Sequence, residues 1–291
     1  MKGNFIDTLR YRTKKIPIIT HKNIKLIETD FGNLRVFDTQ ENKPVLINVP
    51  DGPNVIEHHL ELIQQLSKTF RVICFEFPGF GFSYPNSKYD YSLEKSAKLI
   101  LNLMDILKVN RATLSFSCSN GYYAIKVVEI APQRFEHLFL AQTTSLNSMK
   151  NWVDTNIPKI LTYPVVGQIA NIFIENKFVE EGYKYLLPKE TDLTFYRNIA
   201  LKSLKNGGCN CLSSLVQGLS QELNSNFKTL EVKTTLVWGK KDFTHRKTEK
   251  KSILENIPNC EIIEFENCGH YPELENTLNF VKLINERKSN N

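Results

Sequence analysis

Short apolar runs alternate with stretches of helical periodicity along most of the 291-residue chain, and one long helical block interrupts them. The runs Pro44 to Val49, Arg71 to Glu76, Arg111 to Phe116, Glu136 to Ala141, Val232 to Gly239 and Glu261 to Phe265 are apolar on both faces, as parallel strands covered on both sides require. Between them, Val55 to Leu66, Ser92 to Leu107, Tyr122 to Ile130, Lys247 to Asn256 and Leu274 to Ile284 space their apolar residues as helices do, with Ser92 as an N-cap. Strand and helix in alternation with short connections predict an α/β sheet with helices on both faces. Ahead of it, Ile24 to Glu28 and Leu34 to Asp38 flank the turn Asp30-Phe31-Gly32-Asn33 and predict a β-hairpin.

The alternation stops near Thr143. From there to about Asn226 no buried strand is legible, and helical stretches at Val165 to Ile174, Phe178 to Leu187 and Thr191 to Leu204 take its place. The expected organisation is therefore a core of residues 1–142 and 227–291 with a helical cap, or lid, of residues 143–226 inserted between two strands of one sheet. A polar tail is expected after Glu286.

Charge separates the possible partners. The formal net charge of +6 arises from 37 basic and 31 acidic residues, and the basic ones occur as scattered pairs such as Lys14-Lys15 and Lys240-Lys241. That pattern describes a solvated surface and gives no support for nucleic-acid binding. No window offers the run of roughly 20 apolar residues that a membrane span needs, and the first residues lack the apolar core of an export signal. A cytoplasmic location with reduced thiols is the expectation for the six irregularly spaced cysteines. Cys209-Asn210-Cys211 has no second pair at zinc-finger spacing, so neither a metal nor an organic cofactor is expected.

Chemistry concentrates at Leu114-Ser115-Phe116-Ser117-Cys118-Ser119-Asn120-Gly121-Tyr122-Tyr123-Ala124, where a buried strand turns directly into a helix. A side chain on such a turn is lifted clear of the sheet, and the helix N-terminus favours negative charge on it. With this segment the chain, from about Ile24 to Ile284, resembles the α/β-hydrolase superfamily. Phe77-Pro78-Gly79-Phe80-Gly81-Phe82-Ser83, preceded by Glu76, is similar to that superfamily's D-x-P-G-x-G-x-S loop, and Ala131-Pro132-Gln133-Arg134-Phe135 to its H-P-E-R-V turn. Thr235-Leu236-Val237-Trp238-Gly239-Lys240-Lys241-Asp242 is similar to the T-L-V-x-W-G-x-x-D segment. Cys268-Gly269-His270-Tyr271-Pro272-Glu273-Leu274-Glu275 is similar to A-G-H-x-P-x-x-E. The resemblance implies a nucleophile, a histidine that takes and returns its proton, here His270, and an acid that orients the histidine, here Asp242.

Two registers name the nucleophile. Ser117-Cys118-Ser119-Asn120-Gly121 fits G-x-S-x-G locally and points to Ser119, whereas ungapped alignment of the flanking strand and turn points to Cys118. The second register is the better supported, although it sets Phe116 and Asn120 where the superfamily has glycine. A thiol suits the position chemically, because its ordinary pKa of about 8.5 is lowered by a neighbouring histidine or a helix N-terminus. The oxyanion loop departs from the superfamily's H-G-x-x, reading Val49-Pro50-Asp51-Gly52-Pro53-Asn54. Since Pro53 carries no N–H, the donor falls to Asn54 or to the amide of Asp51, with the N–H of Ser119 as the second donor.

The expected activity is hydrolysis or acyl transfer through an acyl-cysteine on a small hydrophobic ester, thioester or lactone, the apolar lid favouring an apolar acyl group or ring. The contrasting reading is a catalytically weak scaffold that binds a small molecule, and the altered oxyanion loop motivates it. The carboxylate nucleophile of epoxide hydrolases and haloalkane dehalogenases is absent from both registers. His21, His58, His59, His137 and His245 lack motif context and are expected on the surface or in packing, and Tyr122 and Tyr123 in helix packing.

Overall fold

The computed structural model describes residues 3–12, 21–221 and 227–289. Lys14-Lys15 and the end of the expected insertion lie outside them. Eight strands form one sheet: β1 (Ile24–Thr29), β2 (Gly32–Asp38), β3 (Val45–Val49), β4 (Arg71–Phe75), β5 (Ala112–Ser117), β6 (Phe135–Ala141), β7 (Lys233–Gly239) and β8 (Glu261–Phe265). Their order is β1-β2-β4-β3-β5-β6-β7-β8, with a short Tyr84–Pro85 strand beside β2. β1 and β2 form the expected hairpin, tightened to the two-residue turn Asp30-Phe31 by the pairing of Thr29 with Gly32. From β4 onward every neighbouring pair is parallel.

Alternation along each strand divides the core. Ile47, Ile73, Phe75, Leu138 and Leu140 face one layer, containing Leu99, Leu103 and Val127. Leu46, Val72, Cys74, Phe139 and Val237 face the other, containing Ile63, Leu66, Phe280 and Ile284. The helices among the described residues are α1 (Phe5–Tyr11), α2 (Leu60–Leu66), α3 (Leu93–Ile106), α4 (Ser119–Ile130), α5 (Leu146–Asn156), α6 (Val166–Leu186), α7 (Thr194–Lys205), α8 (Leu212–Ser220), α9 (Pro272–Glu275) and α10 (Thr277–Ser289). Ser92 caps α3 as expected, its side chain accepting from the Lys95 N–H.

Several elements differ from the sequence expectation. The two stretches expected at 165–174 and 178–187 are a single helix, α6, because Glu175, in its middle, is paired with Arg10 of α1 and not with solvent. α5 and α8 were not legible. The stretch expected as a helix at 247–256 is a six-residue 3-10 turn, Lys250–Glu255. The closing helix breaks at Asn276 into α9 and α10, and α10 runs three residues beyond Glu286, where a polar tail was expected.

The helices α5 to α8 lie in sequence between β6 and β7, and α5, α6 and α8 line a cavity with the loops at the carboxyl ends of the strands. Open parallel sheets bind ligands at that end. Two bonds tie α6 to loops there: the His270 N–H donates to the Leu186 carbonyl at 2.7 Å, and the Tyr183 hydroxyl donates to Asn54 Oδ1 at 2.8 Å.

Candidate active site

β5 ends at Ser117, and Cys118 stands alone between it and α4 with φ 49° and ψ −121°. A positive φ on a residue with a side chain costs on the order of 1–3 kcal/mol and persists only where surroundings enforce it. Here the Cys118 N–H donates to the Ala141 carbonyl at 2.7 Å, while its own carbonyl accepts from the Gly121 N–H and the Thr143 hydroxyl. Gly121 has to be glycine, because a Cβ there would overlap the Thr143 side chain. Phe116, which stands where the superfamily has glycine, turns away from the elbow and packs its ring edge-on against Phe75 and Phe77.

The acid and the histidine come from the ends of β7 and β8. The His270 Nδ1 lies 2.5 Å from Asp242 Oδ2, and both side chains are buried. The sulfur of Cys118 and a ring nitrogen of His270 lie within 4.8 Å of each other. Glu275 holds the histidine turn by accepting from the N–H groups of Gly269 and Tyr271 at 2.7 and 2.9 Å. The two motif glycines make the approach of the strands possible: a Cβ at Gly239 would run into the Gly269 carbonyl oxygen. We expect Gly239→Ala to cost about 1–3 kcal/mol, as overpacking does, measurable as a lowered denaturant midpoint. An unchanged midpoint would show that the two turns can separate freely.

Asp242 is more completely held than its motif indicates. Its Oδ1 accepts from the Thr244 N–H and hydroxyl at 2.8 and 2.6 Å, and its Oδ2 also accepts from Gln142 Nε2 at 2.8 Å. Gln142, with φ 48° just past β6, in turn accepts from the Gly239 N–H through Oε1. Burial disfavours the Asp242 carboxylate, but His270 outweighs it and holds the acid well below the usual carboxylate range. Burial likewise works against an imidazolium at His270, yet Asp242 and Cys118 raise its pKa well above the ordinary value. Burial and the Asp51 carboxylate push the Cys118 thiol up, against the pull of His270.

Asp51 thus enters the site through its side chain. Its Oδ2 lies 3.4 Å from His270 Nε2, and its Oδ1 accepts from the Ser119 hydroxyl at 3.3 Å and from Asn120 Nδ2 at 3.4 Å. The Ser119 side chain is therefore directed at Asp51, whereas Cys118 occupies the turn beside the imidazole. The Ser119 N–H, at the first position of α4, has no acceptor within the helix. Asn54 stands differently from its neighbours: its N–H donates to the Asp51 carbonyl at 3.0 Å, its side chain faces Tyr183, and it does not line the cavity. Among the described residues the N–H groups of Asp51 and Gly52 engage no acceptor. Replacing the Asp51 carboxylate by an amide removes a negative charge beside the sulfur. In Asp51→Asn the pH dependence of Cys118 alkylation by iodoacetamide should accordingly move to lower pH. A shift upward would mean that the carboxylate does not raise the thiol's pKa.

Above these groups lies a cavity of about 420 Å³. Cys118, Ser119, Asp51 and His270 form its polar floor. Its walls are mainly apolar, with Phe77 and Phe80 from the core and Met149, Trp152, Phe178 and Leu215 from α5, α6 and α8, while Asn156, Thr244 and Arg246 add polar groups. His245, expected only in surface or packing roles, is buried against the site, its ring stacked 5.4 Å from that of His270. His58, His59 and His137 are buried away from the cavity, and Tyr122 and Tyr123 are packed in the core as expected.

The alpha/beta hydrolase fold family model matches residues 44–277. The chain belongs to that family. Among its curated relatives are human monoacylglycerol lipase ABHD6, 22% identical over 77% of this chain and 69% of the relative, and the cis-3-alkyl-4-alkyloxetan-2-one decarboxylase of Shewanella oneidensis, 23% identical over 82% and 80%. Epoxide hydrolase A from Mycobacterium thermoresistibile superposes with a TM-score of 0.77 at 12% identity, covering 90% of this chain and 96% of its own. That likeness shows the shared fold. No helix among the described residues is long and apolar enough to cross a membrane.

Proposed function

We propose that this family member hydrolyses, or transfers the acyl group of, a small hydrophobic ester, thioester or lactone through an acyl-enzyme on Cys118. The observation that carries the reading is the position of Cys118: a strained, positive-φ residue at the start of α4, beside a histidine already bonded to a buried aspartate. The thiol gives its proton to His270 Nε2 and the sulfur attacks the carbonyl carbon, with charge collecting on the carbonyl oxygen. On this reading the N–H of Ser119 and that of Asp51 or Gly52 serve as the donors to that oxygen, and one such donor is typically worth 10²–10³ in rate. His270 then protonates the leaving alcohol or thiol. Water, deprotonated by the same imidazole, attacks the thioester, releases the acid and restores the thiol.

Helices α5 to α8, within the inserted residues 143–226, serve as the cap. Their apolar side chains over the polar floor favour an aliphatic or ring-bearing acyl group. The monoacylglycerol lipase and the alkyloxetan-2-one decarboxylase among the relatives act on an acyl ester and a four-membered lactone, which supports the class. The described cysteines are all free, in keeping with a reducing compartment such as the cytoplasm.

A panel of p-nitrophenyl esters and thioesters tests the proposal. Turnover is expected to increase from acetyl to medium-chain acyl groups, with a burst of nitrophenol equal to the enzyme concentration wherever deacylation is slow. Absence of turnover across the panel, with iodoacetamide labelling only Cys209 or Cys260, would favour the binding-protein reading.

A further inference from the structure

The site contains more donor atoms than hydrolysis uses. One ligand atom from each of Cys118, His245 and His270 lies within 4.8 Å of the others, and all three side chains are buried. In both histidines Nδ1 is already committed, to Asp242 Oδ2 in His270 and to the Thr248 hydroxyl in His245. The His245 Nε2 is buried and has no partner, an unusual state for a ring nitrogen on a side chain only 4% exposed. Its ring packs nearly parallel to those of Trp152 and His270, with centroids 5.3 and 5.4 Å away, which restricts its rotation.

We propose that Cys118 Sγ, His245 Nε2 and His270 Nε2 form a binding site for a thiophilic divalent cation of the Zn²⁺ class, whose occupancy blocks the hydrolytic site reversibly. Thiolate and imidazole are the donors that such a cation selects. Tetrahedral coordination separates the donor atoms by roughly 3.3–3.6 Å, so donors within 4.8 Å of one another need close by at most about 1.5 Å. Each histidine has an oxygen partner on the opposite ring nitrogen, the arrangement that orients imidazole ligands in zinc sites. The Asp51 carboxylate, 3.4 Å from His270 Nε2, stands ready as the fourth ligand or as the acceptor for a bound water. On binding, the Cys118 thiol releases its proton to solvent while the sulfur lone pair forms the metal bond, so one proton leaves per cation and affinity rises with pH. No oxidation is involved. The cation removes both the attacking sulfur and the proton acceptor, so turnover stops while it is bound.

The donor set stands independently of the hydrolytic reading, since a cation would bind even if no ester were ever cleaved. The test uses the full chain, freed of metal with EDTA, titrated with CoCl₂ and ZnCl₂ and read by absorption and calorimetry. A thiolate-to-cobalt charge-transfer band with one-to-one stoichiometry and proton release is expected, and Zn²⁺ should displace the Co²⁺. The band should vanish in Cys118→Ala and persist in Cys209→Ser. Thr248→Val, which removes only the bond orienting His245, should weaken binding by about 10–100-fold, and His245→Gln by at least that much, with folding checked by circular dichroism. A band that survives in Cys118→Ala, or unaltered affinity in folded His245→Gln, overturns the proposal. Loss of ester turnover on addition of Zn²⁺ and its recovery with EDTA supports the blocking role. Full turnover at saturating cobalt-band intensity would overturn it.

Discussion

Asp242→Asn is expected to lower kcat/KM by about 10⁴, with the fold retained. An amide at this position can donate to His270 and so stabilise the wrong tautomer, and it no longer balances an imidazolium. The carboxylate is held by five hydrogen bonds, from Thr244 twice, the His245 N–H, Gln142 and His270, so the substitution changes charge more than shape. The pH profile separates this effect from simple damage. Asp242 raises the His270 pKa, and on the proposed mechanism the free enzyme becomes active as the Cys118–His270 pair loses its acid-side proton. Removing the carboxylate should therefore move the acid limb of kcat/KM to lower pH in chelator-treated enzyme while the plateau falls. A plateau loss below tenfold, or a limb moved to higher pH, would mean that Asp242 does not orient the histidine.

The second large effect concerns stability. Arg35, fully buried on β2, pairs with Glu76 at 3.1 Å and also with Glu57. Glu76 sits where the superfamily's loop acid stands, and its carboxylate accepts from the N–H groups of Ile56 and Phe82 at 3.0 and 2.7 Å. The network thereby anchors the loop that presents Phe77 and Phe80 to the cavity. Arg35→Met leaves Glu76 buried without its cation, a loss of about 3–5 kcal/mol. Burial raises the Glu76 pKa even beside Arg35, and removing the guanidinium raises it further. A carboxyl whose pKa is higher folded than unfolded binds its proton more tightly in the native state. The stability this gives is present at acid pH and fades as pH rises above the unfolded value. The deficit of Arg35→Met measured by urea unfolding should consequently be smaller near pH 5 than near pH 8. A deficit that is equal at both, or under 1 kcal/mol, would show that the network is replaceable.

The fold was legible because strand runs and helical spacing are local signals; the meeting of Cys118, Asp242 and His270 could be anticipated because each follows a strand end in motif context. What escaped the sequence depends on distant partners. The polar residues Glu175-Asn176-Lys177 read as a break in α6, yet Glu175 is satisfied by Arg10, 165 positions away. Gln142 belongs to no motif, and its role arises only where the β6 and β7 ends meet at Asp242 and Gly239. His245 lies three residues past Asp242 and could have been suspected from that spacing, but its burial comes from Trp152 on α5, a helix with too few apolar positions to be read. The sequence offers Asp51 as a backbone N–H donor, and the structure also brings its carboxylate to the imidazole and the elbow. Cys118 and Ser119 are adjacent in sequence, so pattern alone offers either; the backbone turn separates them by directing one to His270 and the other to Asp51.

In the proposed chemistry the sulfur at position 118 carries the acyl group. The direct measurement is to quench the enzyme at acid pH during turnover of a slowly deacylating nitrophenyl ester and to locate the added mass by peptide fragmentation. The acyl group should be found on Cys118, as a thioester that hydroxylamine removes, and should be missing from Cys118→Ala. An acyl group on Ser119, or none on any residue while turnover proceeds, would contradict it.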